Sequence, residues 1–243
     1  MPSAADDGPD EEAPVGAMDD PANETVDGTT YGPLKALCEA VVRAAYGDAG
    51  LIVRPGVIVG PHDPTDRFTY WPARIAAGGS FAAPEGPSAP LQYIDARDLA
   101  GWLVRAARDG VGGRSTPSAR ACPRRSVTSC AARWTSPARA PRRSGCRPKR
   151  WPPPRCTRGR TCRCGCRRAI ARLMHTRNDR AVAAGLTFRP LAQTIADTLA
   201  WHRGRPSGTD LAAGLSADRE AALLATIGAP RGDVTSAGAN EAT

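Results

Sequence analysis

The chain has 243 residues, 41% of them apolar, but only 5% aromatic against 23 prolines and 25 glycines. It is long enough for one sizeable domain or two small ones, with a core built from small and aliphatic side chains. A net charge of +9 would suggest nucleic acid or an acidic surface as partner if it were evenly spread. It is not: residues 114–168 hold 16 Arg and one Lys with no acid, and the rest of the chain has 16 basic and 24 acidic residues, a net of −8. Seven of the eight cysteines (Cys122, Cys130, Cys146, Cys156, Cys162, Cys164 and Cys166) lie in that same segment, and only Cys38 lies outside it. Residues 1–27 carry nine acidic and no basic residues, which excludes the charged start of an export signal. No run approaches the roughly 20 apolar residues that span a bilayer. A cytoplasmic, soluble protein without a membrane partner or a disulfide framework is the expectation.

Composition divides the chain into zones. Residues 1–28 are polar and acidic, with Pro2, Pro9, Pro14 and Pro21 interrupting any helix, and read as an extended surface segment. From Tyr31, the apolar residues Leu34, Leu37, Cys38, Val41, Val42 and Ala45 recur at three- and four-residue spacings and predict a helix, with Pro33 tolerated in its first turn and Gly47 and Gly50 bracketing its end. Leu51-Ile52-Val53 has no polar alternation and predicts a short parallel strand covered on both faces. A turn at Arg54-Pro55-Gly56 leads to a second strand, Val57-Ile58-Val59, ended by Gly60-Pro61. A helix over 68–77, a strand over 91–94 and a helix to about 107 with Asp98 as its N-cap complete residues 29–113, a zone with α/β grammar.

Residues 114–168 contain no Ile, Leu, Met or Phe, hold eight prolines, and predict a disordered, Arg/Pro/Cys-rich insert. The alphabet there is the one GC-rich codons specify, as a shifted reading frame would produce. Ordinary patterning resumes in residues 169–230, with a helix from Leu191 to Trp201 and another over 218–226 capped by Ser216. Residues 231–243 are a polar tail.

The residues with most chemical content are Tyr31 and Lys35. Four residues apart on a helix, a phenol and an ammonium share one face about a turn apart. A phenol is a poor base at neutral pH unless a nearby cation favours its phenolate, which can then exchange a proton with a carbinol. Three blocks follow in order: Tyr31-Gly-Pro-Leu-Lys35-Ala-Leu-Cys-Glu39, then Arg54-Pro55-Gly56-Val57-Ile58-Val59-Gly60-Pro61, then Gln92-Tyr93-Ile94-Asp95-Ala96-Arg97-Asp98-Leu99-Ala100. Together they resemble the extended short-chain dehydrogenases/reductases, the NAD-dependent epimerase/dehydratase family, over about residues 28–110. The stretch 179–201 is similar to that family's closing segment. The resemblance implies a Rossmann-type, doubly wound parallel sheet and an enzyme transferring hydride at a carbinol carbon with NAD or NADP, on a small-molecule substrate such as a nucleotide sugar. By the same resemblance Tyr31 is the catalytic acid/base, Lys35 assists it and bonds the nicotinamide ribose, and Pro55, Gly56, Val57 and Ile58 lie against the nicotinamide. Asp95, Arg97 and Asp98 read as structural.

Two departures limit what the resemblance implies. The family's glycine-rich pyrophosphate loop has no counterpart in the chain, since Gly78-Gly79 and Gly112-Gly113 are turn pairs without its spacing. The family's catalytic Ser or Thr is also unmatched. The expectation is therefore a partial Rossmann-type fold lacking its N-terminal nucleotide-binding half, and inactive alone. A nonenzymatic nucleic-acid-binding protein is the alternative, its arginines on phosphates and Trp134 and Trp151 on bases; otherwise residues 114–168 bind nucleic acid only nonspecifically. The C-x-C-x-C spacing of Cys162, Cys164 and Cys166, with Cys156 before it, is unlike paired zinc knuckles, so no metal is expected. His62, His175 and His202 are isolated from one another and read as surface residues.

Overall fold

The computed structural model describes residues 9–84, 91–115, 119–120, 143–146 and 175–228. They form a mixed α/β structure whose elements run α1 (Tyr31–Tyr46), β1 (Leu51–Val53), β2 (Val57–Val59), α2 (Tyr70–Ala76), β3 (Phe81–Pro84), β4 (Gln92–Asp95) and α3 (Ala96–Arg108). There follow β5 (Gly113–Ser115), β6 (Ala119–Arg120), β7 (Arg143–Cys146), α4 (Asp179–Ala183), α5 (Leu191–Arg203) and α6 (Ala217–Gly228). Three pairings are parallel, β1 with β5, β2 with β4 and β3 with β7, while β6 runs antiparallel to β4.

The core is organised by β4. Side chains of a strand alternate between faces, and Tyr93 and Ile94 accordingly enter two different apolar clusters. On one face Tyr93 packs with Val59, Phe68, Ile75, Phe81 and Ile195. On the other, Ile94 joins Leu99, Trp102 and Ala106 of α3 with Ala181 and Leu186. Trp102 is fully enclosed, and its indole N–H donates to the carbonyl of Ala184 at 3.0 Å, so burying the ring leaves no unmet donor.

The residue after that alternation, Asp95, is 2% exposed and holds the two halves of the structure together. Its backbone is extended (φ −68°, ψ 132°) and its carboxylate accepts the N–H of Arg97, which makes it the N-cap of α3. The sequence expectation placed that cap at Asp98. Asp98 instead lies in the first helical turn and accepts from Arg189 Nε at 2.8 Å and from the Arg189 N–H at 2.9 Å. Arg97 forks onto Asp95 at 2.9 and 2.7 Å, and Thr194 of α5 donates its hydroxyl to the same carboxylate at 2.9 Å. Gly60, with φ +126°, passes close to the carboxylate: a Cβ there would lie 3.5 Å from both oxygens.

Two further stretches have local structure. Within residues 9–28, Asp10, Asp20, Asn23 and Asp27 each accept the backbone N–H two residues on, forming local turns. Glu11 in that segment is buried, and Glu12 pairs with Arg180 at 2.9 Å. Within the insert expected to be disordered, residues 119–120 and 143–146 are strands that add to β4 and β3. Backbone pairing needs no apolar side chains, which is why Arg143-Ser-Gly-Cys146 can supply a strand without a strand-like composition. The cysteine cluster at 156–166, Trp134 and Trp151 lie outside the described residues.

Replacing Asp95 by alanine leaves Arg97 partly unpaired and uncaps α3. We expect a loss of about 2–3 kcal/mol in urea unfolding, from the lost N-cap and the lost hydrogen bonds to Arg97 and Thr194, because Arg97 is partly exposed and keeps Asp197. Asp197→Ala removes the half-exposed partner on the same Arg97, 2.6 Å away, and should cost about 1 kcal/mol or less.

Candidate functional site

Helix α1 begins at Tyr31, where Asp27 organises the entry. The Asp27 carboxylate accepts the Thr29 hydroxyl at 2.7 Å and the N–H groups of Thr29 and Thr30 at 2.6 and 3.0 Å, while the Tyr31 N–H donates to the Asp27 carbonyl. These bonds, the Thr29 hydroxyl first, hold the Asp27 carboxyl down at about 2. Thr30, the formal N-cap, makes no side-chain cap bond to the helix, so Asp27 supplies that function from three residues earlier.

The helix carries the predicted apolar stripe but buries none of it among the described residues. Tyr31 is 60% exposed and Val41 68% exposed, and Lys35 is also solvent-facing. The structure thus places Tyr31 and Lys35 one helical turn apart on an open surface. Of the residues expected against a nicotinamide, Pro55 is exposed in the turn after β1, Gly56 and Val57 are half-buried, and Ile58 on β2 is 42% exposed.

What joins these two groups is a pair that sequence reasoning did not single out. Arg54 forks onto Glu39 of α1, Nε to Oε1 at 2.7 Å and Nη2 to Oε2 at 2.5 Å. Both ends are partly shielded, and the hydrogen bond that Arg54 donates to Glu39 is the main reason its guanidinium is held above its ordinary value. A bidentate fork fixes orientation as well as distance. It therefore sets the α1 helix at a defined angle to the 54–58 turn. Glu39 lies four residues after Lys35, so the signal was present only as a carboxylate on the Tyr31 helix and an arginine opening the turn.

The residues present can be tested against a nicotinamide dinucleotide. A phenol, an ammonium and the apolar edge of β2 suit a nicotinamide riboside. A pyrophosphate needs a glycine-rich turn opening onto a helix N-terminus. Gly78 and Gly79, both with positive φ, instead follow the end of α2, and Gly112-Gly113 lead into β5, where Gly112 abuts the Asp48 carbonyl so closely that no side chain fits. Among the described residues no glycine-rich turn opens onto a helix N-terminus to hold a pyrophosphate. No group of three or more His, Cys, Asp or Glu among them is placed to hold a metal ion, and no described helix is long and apolar enough to cross a membrane.

No protein-family model matches the chain, and no curated protein matches it significantly. Among solved structures it is similar to the Bordetella bronchiseptica enzyme WbmH in complex with NAD+, at 18% identity and a TM-score of 0.46, over 76% of this chain and 54% of that one. The chain thus spans about half the length of that enzyme.

Two outcomes follow from this geometry. Glu39→Gln breaks the charged fork, and hydrogen exchange should then quicken along α1 while protection in α3 stays unchanged; equal exchange in both proteins would mean that the fork does not anchor the helix. Because the Asp27 carboxyl is depressed, its hold on Thr29 and Thr30 is complete above the ordinary carboxylate value of about 4. That hold is lost as pH falls through about 2. Carboxyl carbon shifts followed by NMR should give that midpoint for Asp27.

Proposed function

We propose that this surface is the acid/base part of an NAD(P)-dependent oxidoreductase site acting at a carbinol carbon, of the epimerase/dehydratase kind, with a nucleotide sugar as the substrate class. The observation that supports it best is the Glu39–Arg54 fork, which sets the Tyr31–Lys35 helix against the Pro55–Ile58 turn. In this reading Tyr31 exchanges a proton between its hydroxyl and the carbinol oxygen. Lys35, a turn away on the same helix face, offers its ammonium hydrogens to a ribose hydroxyl. The exposed edge at Pro55 and Ile58 gives a flat apolar surface for a nicotinamide ring. When bound, such a cofactor supplies hydride acceptance and return. Nothing in the chain's own sequence provides the pyrophosphate loop, so the chain is inactive by itself and holds the dinucleotide no better than its nicotinamide end.

Saturation-transfer NMR with reduced nicotinamide mononucleotide tests this directly. We expect a signal with millimolar affinity that Lys35→Ala abolishes, and an affinity for NADH and NADPH within about threefold of the mononucleotide's, because the adenylate half finds no cradle. Dinucleotide binding tighter by about tenfold or more would overturn the claim about the missing cradle. Mononucleotide contacts that survive Lys35→Ala would overturn the assignment of the site.

A further inference from the structure

We draw no further inference here: the strongest candidate, the exposed face of helix α1 that carries Cys38 and Val41, continues the surface of Tyr31 and Lys35 already described, and nothing in the structure shows what covers it.

Discussion

A single buried carboxylate, that of Asp95, joins the parts of this structure that would otherwise be separate. Burial by itself pushes its carboxyl up; the Arg97 side chain and N–H, the Thr194 hydroxyl and the charge of Arg97 outweigh that and leave it below its ordinary value. Direction matters here, because a carboxyl that stays ionised while enclosed is one whose partners are well placed. Those partners come from three places: Arg97 from the first turn of α3, Thr194 from α5, and Arg189 from the segment before α5, whose Nε lies 3.6 Å away. Removing any one of them leaves the carboxylate with others, whereas removing the carboxylate takes a shared partner from all three at once, leaving Arg97 with Asp197 and Arg189 with Asp98.

The position of Asp95 follows from β4. Tyr93 and Ile94 commit the strand's two faces to two apolar clusters, and the next residue along must leave the sheet at its end, where a capping acid is useful and another apolar side chain is not. Gly60 then has a definite reason to be glycine: β2 ends beside the carboxylate with φ +126°, a conformation L side chains rarely adopt. The same logic is repeated at Asp66, where a second buried acid ties the loop after β2 to the segment after α5 through Arg205 and the Ala212 N–H. His62 and Arg205 lie against Trp201 at 5.3 and 5.1 Å and add an aromatic clasp at that junction. Residues 59–108 and 181–220 are therefore connected by acids at each end of one apolar face.

Much of this was legible from residue spacing. The apolar runs at 51–53 and 57–59 and the helices at 31–46, 70–76, 191–203 and 217–228 each carry a period, a cap or a breaker that a single chain reveals, and Ser216 caps α6 through its carbonyl bond from Glu220 and its hydroxyl near the Arg219 N–H. Less legible were features that depend on a distant partner. Asp95 and Asp98 both precede the apolar run of α3, and only the extended backbone of Asp95 and the arrival of Arg189 decide which one caps the helix and which one bridges. Strands β5, β6 and β7 are defined by the backbones they pair with, not by their side chains, so Gly-Arg-Ser and Arg-Ser-Gly-Cys carry no strand signal. At the candidate site Tyr31 and Lys35 were visible through their spacing, but the Arg54–Glu39 fork spans 15 residues and cannot be inferred from periodicity.

The contrast between α1 and the rest of the structure bears on its chemistry. Every other helix of eight or more residues among the described residues is fixed by burial: α3 through Leu99, Trp102 and Ala106, α5 through Thr194, Ile195, Thr198 and Leu199, and α6 through Glu220. Helix α1 buries no residue and is oriented by one half-shielded ion pair and by the Asp27 turn at its start. Exposed ion pairs contribute little stability but can still set geometry when they are bidentate. Tyr31 and Lys35 on such a helix are open to water, and in the proposed reading solvent competes with each hydrogen bond that either offers a ligand. The chemistry the pair can perform is therefore set by alignment alone, and any gain from excluding water must come from whatever molecule covers that face.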